Sequence, residues 1–243
     1  MNHANISVIL IIPSASYRTN PFIDAATKLD INILVITDKS QVFSEYYPDN
    51  VITMNFEHWQ ESIENIHEWS ERYDLKAVIG VDEESIILAA KLSESLCIEH
   101  NSLESVKLTK NKYLMRSELK KSGLKSPWFI RFYVHETPKD IFSELIFPCV
   151  IKPTFLSASQ GVLRVNSFEE FGKGCEMLSD LLAEEKVKKR GGDQANWILV
   201  EEYIPGKEVS IEGIVNNGKL KDLAIFDKPE SLEGPIFPET IFI

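Results

Sequence analysis

Between Ile6 and Ile12 the chain reads Ile-Ser-Val-Ile-Leu-Ile-Ile, an almost unbroken run of branched apolar residues. An alternating run would predict a strand with one wet face, whereas a continuous run predicts a strand covered on both. The segments that follow supply the cover. Residues Phe22 to Leu29 have a helical pattern, and Ile31 to Thr37 form a second buried strand ending at Asp38. His58 to Tyr73 carries Trp59, Ile63, Ile66 and Trp69 at helical spacing. Ala77 to Val81 reads as a third strand and Ser85 to Leu96 as another helix. Strands alternating with helices imply right-handed βαβ units around a parallel sheet. Residues 1–100 are therefore predicted to form a small open α/β domain.

Ligands of such sheets gather at the carboxyl ends of the strands. Here those ends read Pro13-Ser14-Ala15-Ser16, Thr37-Asp38 and Val81-Asp82-Glu83-Glu84. The first loop lacks the G-x-G-x-x-G fingerprint that cradles a dinucleotide pyrophosphate, which argues against a nicotinamide-dependent oxidoreductase. Asp82, Glu83 and Glu84 are placed to meet a substrate. Their ordinary role at the start of a helix is to complement its macrodipole.

Composition narrows the class further. The 243 residues carry a formal net charge of −11, which argues against a nucleic-acid partner. Cys97, Cys149 and Cys175 show no C-x-x-C spacing, so neither a zinc site nor a disulfide framework is expected. No stretch reaches the roughly 20 apolar residues of a membrane span. The Ile6–Ile12 run is short for a signal-peptide core and has no basic residue before it. A cytoplasmic protein with no membrane partner is the expectation, and homo-oligomerisation is left open.

From Ser126 the pattern changes to short strands: Trp128 to Val134, Phe147 to Lys152, Gly161 to Val165 and Trp197 to Tyr203. A helix bearing Phe168, Phe171, Met177, Leu181 and Leu182 interrupts them. Lys186 to Gln194, charged and glycine-containing, reads as an exposed turn or loop. Lys207 to Val215 and Lys219 to Asp227 flank Asn216-Asn217-Gly218, whose Asn-Gly step suits a tight hairpin. This half is predicted to be α+β and mostly antiparallel.

Three places carry charge where charge needs a reason. Along a helix expected from about Val106 to Ser122, Leu108, Met115 and Leu119 make one apolar stripe. Lys112 emerges at its edge, where an ammonium must snorkel or meet an anion. Lys152 ends an apolar strand before Pro153, and Ser157-Ala158-Ser159-Gln160-Gly161-Val162 follows. A small-residue loop of that kind can fold backbone N–H groups over phosphates, with the lysine as a point charge beside them. In Ile198-Leu199-Val200-Glu201-Glu202-Tyr203-Ile204, strand alternation sends Glu201 and Glu202 to opposite faces, so one of them points to whatever side is enclosed. After Pro205-Gly206, Glu208 opens a new strand, and a carboxylate there can accept from both ribose hydroxyls.

In register, these pieces resemble the ATP-grasp superfamily, and most of all its carboxylate–amine ligase branch. The series is Lys112 with Arg116, Phe147-Pro148-Cys149-Val150-Ile151-Lys152-Pro153, Ser157 to Val162, and Glu201 to Glu208. The resemblance implies a pre-ATP-grasp α/β domain over 1–100 and an ATP-grasp domain over 101–243. Within the latter, a lid subdomain would span about 126–200 and a C-terminal subdomain would begin at 201. It implies that Lys112 and Lys152 bind the ATP phosphates and that Ser157, Ser159, Gln160 and Gly161 belong to the phosphate-covering loop. It gives Glu201 the adenine amino group, with Glu202 beside it, Tyr203 and Ile204 the base edge, and Glu208 the ribose. Lys228 matches a basic position near the γ-phosphate or substrate, and Glu239 an acidic position near the acceptor.

The family joins a small-molecule carboxylate to an amine or similar nucleophile through an acylphosphate and uses Mg2+. Its magnesium ligands include a Glu-x-Asn pair, and none follows Glu208 here. The run Ile241-Phe242-Ile243 reads as an unfinished strand. The expectation is accordingly a chain incomplete at its C-terminal end and without the metal ligands. A nucleotide-binding but catalytically incomplete or regulatory module is the alternative reading.

Overall fold

The computed structural model describes residues 6–39, 50–136, 141, 143–228 and 234–237. Glu239 and the Ile241–Ile243 run lie outside them. The chain divides into two compact units, Met1–Lys110 and Asn111–Ile243.

In the first unit, β1 (Ile6–Ile11), β2 (Asn32–Thr37), β3 (Val51–Thr53) and β4 (Asp74–Gly80) form a parallel sheet in the order β3-β2-β1-β4. The helices are α1 (Thr19–Leu29), α2 (Ile63–Arg72), α3 (Ile86–Ser95) and α4 (Leu103–Lys110). Ile9, Ile11, Leu34 and Ile36 are buried with Ile66, Trp69, Leu88 and Leu92 on one side. Leu10, Ile12 and Val35 are buried on the other, where Phe22 of α1 packs. Each strand thus sends alternate residues into two cores, which is why the run is continuous. The short β3 escaped the sequence reading because three residues show no period. The start of β4 escaped it because Asp74 and Lys76 are polar; they are exposed and paired with each other at 2.6 Å.

At the carboxyl ends of these strands, Ser14 donates from its N–H (2.6 Å) and its hydroxyl (3.1 Å) to the two carboxylate oxygens of Asp38. Asp82 lies 3.7 Å from Arg18 Nε. Asp82, Glu83 and Glu84, expected to open a helix, precede its N-cap Ser85. Helix α3 begins only at Ile86 and has no acidic residue in its first turn. Asp82 instead balances Arg18, and its main chain pairs with Ser85.

In the second unit, β5 (Phe129–Tyr133), β6 (Cys149–Pro153), β7 (Leu163–Val165) and β8 (Trp197–Glu202) form an antiparallel sheet in the order β5-β8-β6-β7. Helix α6 (Phe168–Ala183) covers one face, with Phe171, Leu178 and Leu182 buried against Ile151, Leu163, Ile198 and Val200. A separate hairpin of β9 (Val209–Asn216) and β10 (Lys219–Asp227) turns at Asn217 and Gly218, both at positive φ, as the Asn-Gly step requires.

Two expectations fail here. The helix expected over Val106–Ser122 is broken at Asn111, which is extended (φ −126°, ψ 111°) and caps α5 (Lys112–Lys121) by accepting from the Leu114 N–H at 3.0 Å. Asparagine competes with the backbone for helical N–H groups and so favours helix starts. The apolar stripe ran through the break without registering it. Lys186–Gln194 is not a loop either. Glu185–Gly191 form helix α7, and Gly192–Asn196 add a 3₁₀ turn. Its Glu, Lys and Arg residues are good helix formers, and the charge that suggested a loop is simply the wet face of a helix.

Candidate functional site

The sheet face opposite α6 carries the charge. Register sets Val150 beside Glu201 and Lys152 beside Leu199, so the side chains of Lys152 and Glu201 share that face. Glu201, only 6% exposed, is the inward one of the two glutamates, and Glu202 at the strand end is exposed. One carboxylate oxygen of Glu201 accepts from Lys152 Nζ. The other accepts from Arg116 Nε of α5 at 3.1 Å. Burial by itself pushes this carboxyl up, but the paired charges of Lys152 and Arg116 outweigh it and hold the group below the usual carboxylate value. Arg116, to which the sequence reading gave no role, is thus part of the cluster.

Helix α5 brings Lys112 to the same neighbourhood. Its backbone N–H donates to the Thr154 carbonyl at 2.8 Å, and its ammonium to the Leu156 carbonyl. The chain between β6 and β7 is therefore rooted on Lys112 and preceded directly by Lys152. Ala158, Ser159 and Gly161 in this loop have φ of 54°, 54° and 70°. A succession of left-handed residues turns the chain tightly, and two N–H groups close those turns, Gln160 to Ser157 and Val162 to Ser159, both at 3.2 Å. These two face inward. Gly161 has a packing role besides its φ, because a Cβ there would sit 2.8–2.9 Å from the methyl groups of Leu181 and Leu178. The Ser157 hydroxyl accepts from Arg190 of α7 at 3.3 Å.

The ladder ends at Glu202. Beyond it, Tyr203 lies under the Arg164 guanidinium, 4.1 Å from ring centroid to Cζ, and Ile204 is exposed. A shallow groove here is lined by Lys125, Ser126, Pro127, Glu202, Tyr203 and Ile204. Glu208 and Lys228, identified separately in the sequence, are brought together at the open end of the hairpin, where Lys228 Nζ donates to Glu208. Register accounts for this, since Val209 pairs with Asp227. Among the described residues no group of three His, Cys, Asp or Glu side chains is arranged to hold a metal ion, and no helix is long and apolar enough to cross a membrane.

A family model described as an ATP-grasp domain matches residues 145–243, which contain Lys152, the serine-rich loop and Glu201 to Glu208. The chain is 26% identical over 215 residues to alanine–anticapsin ligase of Bacillus subtilis (strain 168), covering 81% of this chain and 45% of that protein. It spans about half the length of the curated relatives it matches. The fold matches the crystal structure of L-amino acid ligase from Bacillus licheniformis with a TM-score of 0.74 at 22% identity, covering 98% of this chain and 56% of that one. It also matches N5-carboxyaminoimidazole synthetase from Staphylococcus aureus complexed with ADP, with a TM-score of 0.64 at 15% identity, covering 95% and 56%. The loop between β6 and β7 and the buried Lys152–Glu201 pair lie within the matched segment, and over residues 145–243 the chain is similar to an ATP-grasp domain.

Proposed function

We propose that the second unit binds ATP and that the protein to which it belongs uses ATP to join a carboxylate to an amine. The observation that carries the reading is the cationic cluster on the sheet face opposite α6. Lys152 is held against buried Glu201, which Arg116 clamps from the other side, and Lys112 is docked at the root of the adjoining loop. In this reading Lys112 and Lys152 lie on the phosphates and the Ser157–Gly161 loop closes over them. Glu201 sets the direction of Lys152 and keeps a lone pair for the adenine amino group, since an ionised carboxylate has about four acceptor sites. Tyr203 and Ile204 present main-chain groups to the base edge beside the groove of Lys125 to Pro127, and Glu208 takes the ribose while Lys228 faces the transferring phosphoryl group or the substrate.

ATP enters as a substrate. A carboxylate oxygen attacks the γ-phosphorus, the bond to the β-phosphate oxygen breaks, and ADP leaves an acylphosphate. An amine then attacks the acyl carbon, and inorganic phosphate departs with the electron pair. The chain's own part is positioning and charge stabilisation on the phosphoryl oxygens. Among the described residues no group of three His, Cys, Asp or Glu side chains is arranged as a magnesium cage. Support for the ligase reading comes from the amino-acid ligases matched, and for the nucleotide from the relative solved with ADP.

Calorimetric titration with ATP tests the reading. Lys152→Ala and Lys112→Ala should each weaken binding at least about tenfold, with the fold checked by circular dichroism. Unchanged affinity in both variants would remove the phosphate roles. ADP release from ATP in the presence of amino-acid pairs then tests the ligation step.

A further inference from the structure

The phosphate-binding reading names two lysines and a loop, but not what fixes them relative to each other. Three segments meet at that point: the N-terminus of α5, the root of the loop at Thr154–Leu156, and the 3₁₀ turn after α7. Asn111 is 6% exposed and Thr154 fully buried, so the polar groups gathered here need partners within the protein. Asn111 uses its side-chain oxygen to cap α5 and donates from its side-chain nitrogen to Gln194 Oε1 at 2.8 Å. The Gln194 carbonyl accepts from the Thr154 hydroxyl at 3.5 Å, and the Thr154 carbonyl accepts the Lys112 N–H at 2.8 Å. The helix leading to Gln194 is fastened nearby. Gly191 packs so close that a Cβ there would lie 2.3 Å from the Phe155 ring, and Arg190 reaches Ser157.

We infer that Gln194 is a positioning residue for the phosphate site, clasping Asn111 with its side chain and Thr154 with its main chain so that Lys112 and the loop root keep one fixed spacing. The inference rests on the ATP-binding reading above. Asn111 is the residue immediately before Lys112, and its rotation would swing the first turn of α5 and the lysine with it. The cap holds the Asn111 side-chain oxygen and the Thr154 carbonyl holds the Lys112 N–H, and the bond to Gln194 adds the restraint on the side-chain nitrogen. Preorganised charge acts on a phosphoryl group only where it is held to a fraction of an ångström. On this inference Gln194 acts on the phosphate site through Asn111 and Lys112.

The test compares the full chain with Gln194→Met, which keeps the shape and loses the acceptor, and Gln194→Glu, which keeps an acceptor for Asn111. Each is titrated with ATP and with adenosine, and thermal unfolding is recorded. Gln194→Met should weaken ATP about tenfold while adenosine is unaffected, a loss of the size of one buried hydrogen bond. Gln194→Glu should stay within about threefold for ATP. In a Lys112→Ala background Gln194→Met should change ATP affinity by less than about twofold, because coupled residues do not add. Equal losses for ATP and adenosine, no loss in Gln194→Met, or additivity with Lys112→Ala would each overturn the inference. A parent chain that binds no ATP overturns the functional reading first, and that result is distinct from these.

Discussion

Replacing Glu201 by glutamine is the most informative single change in this protein. The side chain keeps its shape and loses one charge, leaving Lys152 and Arg116 around a neutral amide. Side-chain exposures of 12% for Lys152, 8% for Glu201 and 22% for Arg116 mean that water can relieve little of the resulting repulsion at Lys152 and somewhat more at Arg116. Removing one partner of a buried ion pair costs about 3–5 kcal/mol, because the surviving charge is left uncompensated. Allowing for the wetter Arg116, we expect about 3 kcal/mol, or roughly 10 °C in the unfolding of this unit. The pH dependence carries a definite sign. The folded-state carboxyl is held below its ordinary value, so its stabilisation is complete above the unfolded value of about 4.3 and is lost as pH falls through the folded value. Urea unfolding of parent and Glu201→Gln should therefore differ most near neutral pH and converge in acid. A difference below about 0.5 kcal/mol at pH 7, or one that does not shrink on acidification, would refute the argument that this carboxylate is ionised and holds both cations.

Two further outcomes are expected. Gly161→Ala should lower stability by about 1–3 kcal/mol, measured by thermal unfolding, since the position combines φ of 70° with close contacts to Leu178 and Leu181. Burial pushes the thiols of Cys149 and Cys175 up to about 12. In the native protein at pH 8, iodoacetamide followed by peptide mapping should therefore label exposed Cys97 and spare these two until the chain is unfolded.

The sequence by itself determined the layers and singled out the charges that need a partner or a ligand. Ile6–Ile12 and Ile31–Thr37 announced a doubly covered parallel sheet because an unbroken apolar strand has no other stable surroundings. Asn217-Gly218 announced its hairpin because few residues other than asparagine and glycine accept positive φ readily. Lys152 and Glu201 stood out as charges adjoining apolar strands, and alternation required one of the two glutamates to face inward.

Only the tertiary structure decided which glutamate that was and what met it. Arg116 reaches Glu201 and Gln194 clasps Asn111 across more than 80 residues of chain, so no local pattern could pair them. The signal at Asn111 was local and was overlooked, because an asparagine before a helical turn reads as a cap only when the stripe around it is allowed to break. Helix α7 was hidden for the opposite reason, since its propensity favoured a helix while its charge resembled that of a loop. Periodicity encodes which face of an element is buried; which side chains share that burial depends on register and on helix docking, and those belong to the fold as a whole.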